Sequence, residues 1–321
     1  MKALILSAGL GTRLRPITNH IPKPLMPVGG LTLLDFHIQK LASHGIKEII
    51  INTHHLHAKI KRHIDDYPLK DIKIHLLHEK NILGTGGAIK NAEYLLKDEP
   101  FLVVNSDVIY SFDLSRIINN HLSTGAIATM VIKNTSCEPL QRVLSQKGRV
   151  VSIGYPASKE KSKRYLFAGI HVVNPEILSL IPQKKFCCIN SNIYKKLIKK
   201  KRISSFLVKG YWHDVGLPLS YFAVCRDFLK GKLPGIFYKR SKGILFKKNM
   251  LKRGIKTPVY LGENSRISSR AEIGPHVMIM PECHIGKGAV VKESVLLNGT
   301  KVKRKEIIKK QIRYKKHILN F

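Results

Sequence analysis

The residues best placed to do chemistry lie near the N-terminus. A short apolar run, Ala3-Leu4-Ile5-Leu6, breaks into Ser7-Ala8-Gly9-Leu10-Gly11-Thr12-Arg13-Leu14-Arg15-Pro16, and Pro22-Lys23-Pro24-Leu25-Met26-Pro27-Val28 follows. A buried strand feeding such a loop can wrap phosphates. Gly9 and Gly11 let the backbone approach a ligand closely. Loop N–H groups then point at phosphate oxygens, and the planar fork of Arg13 can clamp them. Gly-x-Gly alone is also an ordinary strand-to-loop turn. It is not a dinucleotide fingerprint, which needs a third glycine, and not a P-loop, which needs Gly-Lys-Ser/Thr.

The whole string narrows the choice. Gly9-x-Gly11-Thr12-Arg13-Leu14-x-Pro16 followed by Pro22-Lys23-Pro24-x-x-Pro27-Val28 resembles the signature of the sugar-1-phosphate nucleotidyltransferases in order, spacing and position. The resemblance implies that Ser7, Ala8, Gly9, Gly11 and Thr12 cover the nucleoside triphosphate. It also implies that Arg13 contacts the departing pyrophosphate and that Lys23 contacts phosphate. His78-Glu79 with Leu83-Gly84-Thr85-Gly86-Gly87 resembles the family's base-and-ribose loop, so Glu79, Gly84, Thr85 and Gly86 join the nucleotide-binding set. Phe167-Ala168-Gly169-Ile170 resembles the strand that lies against the sugar, and Asn190 stands where many members carry an acidic residue. Asp107, after Val103-Val104-Asn105-Ser106, and Asp214, in Trp212-His213-Asp214-Val215-Gly216, match the two aspartates that hold the metal. Either could instead cap a helix or turn. Mg²⁺ suits the implied reaction, because it takes one or two carboxylates plus phosphate oxygens and water. Nucleotidyl transfer joins two anions and needs charge stabilisation rather than a strong base.

Departures from the pattern bear on the sugar. Ser106 replaces a usual glycine, and Gly154-Tyr155-Pro156 stands where many members have Glu-Lys-Pro. Lys163 or Arg164 could supply the missing cation. GTP with mannose-1-phosphate is the expected pair. The alternatives are a UTP- or dTTP-dependent relative, such as an N-acetylmuramate-1-phosphate uridylyltransferase, and a catalytically weak regulatory or nucleic-acid-binding relative.

The elements that must position these groups alternate. Strands are expected at Ile46 to Asn52, Ile72 to Leu77 and Phe101 to Asn105, with helices between them, which argues for a doubly wound, mostly parallel Rossmann-like α/β sheet. In such sheets ligands bind beyond the carboxyl ends of strands. Ala126 to Asn174 is strand-rich, and helices are expected at Pro175 to Ile181, Ser191 to Lys200 and Leu219 to Leu229. Residues 1–230 then form the catalytic domain and 231–258 a linker. Over 259–302, Leu261, Ile267, Ile273, Ile279, Ile285, Val291 and Leu297 recur every six residues, a pattern resembling the hexapeptide repeat of left-handed parallel β-helices. That module is expected to serve packing and homo-oligomer assembly. Residues 303–321 are expected as a basic tail, helical or capping the β-helix.

Lys plus Arg number 56 against 21 Asp plus Glu, a formal charge of +35. Such a surface suits phosphorylated substrates, nucleic acid or an anionic membrane surface, although a Lys-rich lineage gives the same count. The run His54-His55-x-His57 is expected to be a polar loop, and the Lys195 to Arg202 run a solvated helix face. No apolar stretch approaches a membrane span. Five cysteines without a C-x-x-C pair read as reduced thiols of a cytoplasmic protein.

Overall fold

A computed structural model describes residues 1–68, 71–134, 142–154, 164–239, 243–246 and 254–321. Gln141, Tyr155, Pro156, Lys163 and Cys137 lie outside the described residues. The chain divides into two compact units that interleave in sequence. One comprises Met1–Gly9, His37–Val108 and Phe112–Trp212; the other comprises Leu10–Phe36, Ile109–Ser111 and His213–Phe321.

The first unit is built on a nine-stranded sheet. Four strands, Lys73–His78, Glu48–Thr53, Ala3–Leu6 and Phe101–Asn105, are adjacent in that order and parallel. Ala3-Leu4-Ile5, Ile49-Ile50-Ile51 and Phe101-Leu102-Val103-Val104 are fully buried, as expected of parallel strands covered on both faces. The remaining strands run in mixed directions, beginning with Arg164–Val173 antiparallel to Phe101–Asn105. Register pairs Leu6 with both Asn52 and Asn105, and Asn52 with Leu77. Four carboxyl ends therefore finish level, with Ser7, Thr53, His78 and Ser106 next at one edge and Glu79 one residue beyond.

Two segments expected as regular helices are not. Pro175–Leu180 is a 3₁₀ turn, and Ile189–Tyr194 is a π-helical turn that becomes α only over Lys195–Lys199. The six residues of Pro175–Leu180 are too few for an α-helix to propagate.

His171 is a buried titrating group on the Arg164–Val173 strand, with Phe167 and Tyr194 edge-on at ring distances of 5.8 and 5.6 Å. Tyr194, whose pKa burial raises, stays protonated, and its hydroxyl is hydrogen-bonded to His171 Nδ1. Burial lowers the His171 pKa to about 3. The unfolded chain binds its proton near pH 6.5, so this stability is complete above that value and is lost as pH falls toward 3. Unfolding titrations in urea should show stability about 2 kcal/mol lower at pH 5 than at pH 7.5 from this group. A His171→Gln variant should flatten that slope.

The second unit holds the loop from Leu10 to Phe36, the helix Pro218–Leu229 and the C-terminal coils. The loop is a chain of 3₁₀ turns at Thr12–Leu14, Ile17–Asn19 and Lys23–Leu25. Tyr221 of the helix donates to Pro27 O at 2.5 Å, fixing the loop's exit. The C-terminal coils are a parallel β-helix of three sheets. Val259–Leu261, Val277–Ile279, Val295–Leu296 and Gln311–Tyr314 stack on one face, Arg266–Ile267, His284–Ile285 and Lys301–Val302 on the second, and Glu272–Ile273, Val290–Lys292 and Ile307–Lys309 on the third. Ile273, Ile279, Ile285 and Val291 of the six-residue repeat form its core with Val302 and Ile308. Positive φ recurs at the corners, at Asn264, Arg270, His276, Glu282 and Gly288.

The region after Val302 differs from the expected basic tail or helix. It is strand, continuing the coils through Ile307–Lys309 and Gln311–Tyr314 and closing with the antiparallel strand His317–Asn320. Register explains the misreading. The coil step is 18 residues from Arg266 to His284 but 17 from His284 to Lys301, so the hexad slips by one residue. The segment expected as a linker also carries structure: Ile236–Lys239 is helical, Phe237 stacks on Phe36 at 5.1 Å, and Ile244–Phe246 pairs antiparallel with Val259–Leu261.

Candidate active site

In the first unit a line of hydrogen bonds crosses three strand ends. Ser7 N donates to Asn52 Oδ1 at 2.7 Å, and Asn52 Nδ2 donates to Glu79 Oε1 at 2.8 Å. Glu79 Oε2 then accepts from Leu83 N at 3.0 Å. Glu79 is 2% exposed, and both its oxygens are engaged within the protein. It brackets the Gly84 loop to the Ser7 strand. Ser7 Oγ is buried and has no protein hydrogen-bond partner. An orphaned hydroxyl at the carboxyl end of a parallel strand is costly unless a ligand answers it.

The glycines of that loop are set by one backbone carbonyl. Gly86 N and Gly87 N donate to Cys187 O at 2.8 and 3.2 Å, and Cys187 N donates back to Leu83 O at 2.8 Å. Gly84 has φ +73°, and a Cβ there would stand 2.6 Å from Cys187 O. At Gly86 the obstacle would be Cys187 Sγ, at 2.8 Å. Thr85 Oγ1 accepts from Ile189 N at 3.0 Å, which ties the loop to the π-helical turn bearing Asn190. Such π turns often mark functional sites. Cys187, Cys188, Cys225 and Cys283 are free thiols.

Gly169 sits in a bulge. Its strand pairs with Ala128–Lys133 at Phe167 and again at His171, with the register shifted between. Its φ is +74°, and a Cβ would stand 3.1 Å from Asn105 Nδ2. Trp212 Nε1 donates to Ala168 O at 2.9 Å and supports the bulge. Asp107 is half-buried in the turn after Phe101–Asn105. His37 lies behind it, fully buried beside the backbone of Ser106 and Val108. Burial lowers its pKa to about 4 against the opposing pull of Asp107, so it is a neutral prop for that turn at physiological pH.

The second unit carries Gly11, Thr12, Arg13, Lys23 and Asp214. Gly11 has φ +62°, and a Cβ there would meet Thr18 Cγ2 at 3.1 Å and Lys23 Cβ at 3.4 Å. Thr18 Oγ1 donates to Gly11 O at 2.8 Å, closing the loop. Arg13 and Asp214, far apart in sequence, meet around Gly216: a Cβ there would stand 2.8 Å from Asp214 Oδ2 and 3.0 Å from Arg13 Nη2. Among the described residues no group of three or more His, Cys, Asp or Glu side chains converges. His54 Nδ1 bonds to Glu79 O, and His57 Nδ1 to Thr53 Oγ1, both at 2.8 Å. Asp107 and Asp214 each offer carboxylate oxygens, the donor type that Mg²⁺ takes. The roles of Asn52, Cys187, Asn105 and His37 escaped the sequence reading, because each acts through a partner remote in sequence.

Comparison with known proteins agrees with the motifs. The nucleotidyl transferase family model matches residues 2–231, and a model for the GMPPB C-terminal domain matches residues 255–317. The UTP--glucose-1-phosphate uridylyltransferase of Synechocystis is 29% identical, over 94% of this chain and 84% of its own. Mannose-1-phosphate guanylyltransferase 1 of Arabidopsis thaliana is 30% identical, over 97% of this chain and 85% of its own. Among solved structures, HddC from Yersinia pseudotuberculosis complexed with GMP-PN superposes with a TM-score of 0.60 at 26% identity, over 71% of this chain and 99% of that one. No helix among the described residues is long and apolar enough to cross a membrane. The nucleotidyl transferase model spans the loop, the paired glycines and both aspartate motifs, and the chain is a member of the nucleotidyl transferase family of enzymes.

Proposed function

We propose that the protein transfers the guanylyl group of GTP to mannose-1-phosphate, with residues 1–230 doing the chemistry and the β-helix from Val259 onward serving packing and homo-oligomer assembly. The observation that carries the site assignment is the meeting of Arg13 and Asp214 at Gly216, which joins a phosphate-binding cation to a carboxylate. An oxygen of the sugar phosphate attacks the α-phosphorus, a new P–O bond forms, and the bond to the β-phosphate breaks to release pyrophosphate. Arg13 and Lys23 take the charge of the departing pyrophosphate. Ser7 Oγ, Ala8, Gly9, Gly11, Thr12 and the Gly84-Thr85-Gly86 backbone hold the nucleotide, with Glu79 fixing that loop. Gly169 and Asn190 face the sugar. Asp107 and Asp214 are the residues that would hold Mg²⁺, whose charge offsets that developing on the phosphate oxygens.

The guanosine and mannose reading is supported by the GMPPB C-terminal domain match and by the plant guanylyltransferases that align along nearly the whole chain. A second reading, UTP with glucose-1-phosphate, is favoured by the similarly long match to the Synechocystis uridylyltransferase. Pyrophosphate release with GTP, UTP, dTTP, CTP and ATP against mannose-, glucose- and N-acetylmuramate-1-phosphate decides between them. GTP with mannose-1-phosphate should lead every other pair by about tenfold or more in kcat/KM, roughly the discrimination that a few hydrogen bonds provide. A lead by UTP with glucose-1-phosphate overturns the first reading, and silence from folded protein overturns both.

A further inference from the structure

One corner of the β-helix is cationic beyond what the proposed chemistry uses. The second face stacks Arg266, His284 and Lys301 in register, one above another. Backbone bonds carry the stacking around the next corner: Gly288 N donates to Ser269 O and Lys305 N to Lys287 O, at 3.2 and 3.0 Å. The three stacked segments are Arg266-Ile267-Ser268-Ser269-Arg270, His284-Ile285-Gly286-Lys287-Gly288 and Lys301-Val302-Lys303-Arg304-Lys305. They contain seven Lys or Arg, one His and no Asp or Glu. All seven cations are exposed, while Ile267, Ile285 and Val302 belong to the core side. Glu306, next in sequence, is engaged with Arg313 Nη1 and Lys303 N. Arg270, Gly288 and Lys305 all have positive φ, so they turn the chain at the crest.

The result is a rigid ridge. Its rungs lie about 4.8 Å apart, so three coils make it about 10 Å tall. Arg266 and Lys301 stand on the strand side, and Arg270 and Lys305 at the crest. Like charges this dense repel a second copy of a chain carrying +35. An anionic bilayer is a plane and would meet only the crest, and no apolar or aromatic side chain projects from the three segments to enter it. A nucleic-acid duplex carries about one phosphate charge per 1.7 Å of its axis, a density that the seven exposed cations of this ridge complement. Apart from the imidazole of His284, the segments hold no aromatic ring on which an unpaired base could stack.

We propose that this corner binds the phosphate backbone of duplex nucleic acid, without reading its sequence. The test is fluorescence anisotropy of the full chain with a labelled 20-bp duplex between 50 and 200 mM salt. The corner variant is Arg270→Asn, Lys287→Ser, Lys301→Ser and Lys305→Asn, with asparagine at the positive-φ sites it tolerates. A control removes four charges elsewhere, as Lys195→Gln, Lys196→Gln, Lys199→Gln and Lys200→Gln. The corner variant should shift the slope of log K against log salt by about 3 to 4 and lose about a hundredfold in affinity, with pyrophosphate-release activity unchanged. The control should stay within about threefold of the parent. Equal weakening by both variants would mean that binding follows net charge, and the assignment fails. It also fails if the parent does not bind the duplex at 50 mM salt. Finally, it fails if the corner variant loses binding to vesicles with 30% phosphatidylserine while keeping the duplex.

Discussion

Asp214→Asn is expected to lower kcat by about 10² to 10³, the usual cost of removing one preorganised electrostatic group at a reacting phosphate. Asp107→Asn should do the same. Both side chains are only partly buried, and the substitution keeps shape and volume, so the melting temperature should stay within about 2 °C of the parent. Pyrophosphate release and thermal melting read the two effects separately. The Asp214 change should also disturb Arg13, since both reach within 3.0 Å of a single point beside Gly216. Raising Mg²⁺ should therefore rescue Asp107→Asn more completely than Asp214→Asn. Near-normal turnover in either variant would remove that residue from the metal assignment.

Gly84→Ala is expected to act on both nucleotide binding and stability. A Cβ at φ +73° costs about 1–2 kcal/mol in the left-handed region. It would also stand 2.6 Å from Cys187 O, a backbone atom held by two N–H donors. That carbonyl cannot retreat without breaking the bonds from Gly86 and Gly87, so the loop must move instead. KM for the nucleotide should rise at least tenfold, in line with a loss of one or two hydrogen bonds, and the melting temperature should fall by several degrees. A variant with the parent's KM would show that the loop does not touch the nucleotide. Glu79→Gln offers a milder version, because one of its two acceptor oxygens becomes a donor facing Asn52 Nδ2 or Leu83 N.

Much of the first unit was legible because its signals are local. Apolar runs name the parallel strands, and glycine-rich breaks after Ala3–Leu6 and Lys73–His78 name the edge where ligands gather. The hexad was legible for the same reason, as a period repeated within one stretch of chain. It failed at Leu297, where a coil shortened by one residue moves Val302 and Ile308 out of phase while leaving them in the core. The third coil and its closing strand then read as a basic tail, since nothing local distinguishes an alternating strand rich in lysine from a frayed helix.

The sequence by itself determined the reaction class. Gly9 to Pro16, Pro22 to Val28 and the contexts of Asp107 and Asp214 are contiguous strings, and their residue types and order suffice. Tertiary structure alone decided which groups support one another. Ser7, Asn52, Glu79 and Leu83 form one hydrogen-bonded line only because three parallel strands end level. Arg13 and Asp214 share a point 2.8 to 3.0 Å away only because the chain returns to it after some 200 residues. The cationic ridge needs three coils in register, since its columns join residues 17 or 18 apart. Hydrogen bonds and charge stacking depend on distance in space, and distance along the chain carries that information only where a single local period spans the whole element.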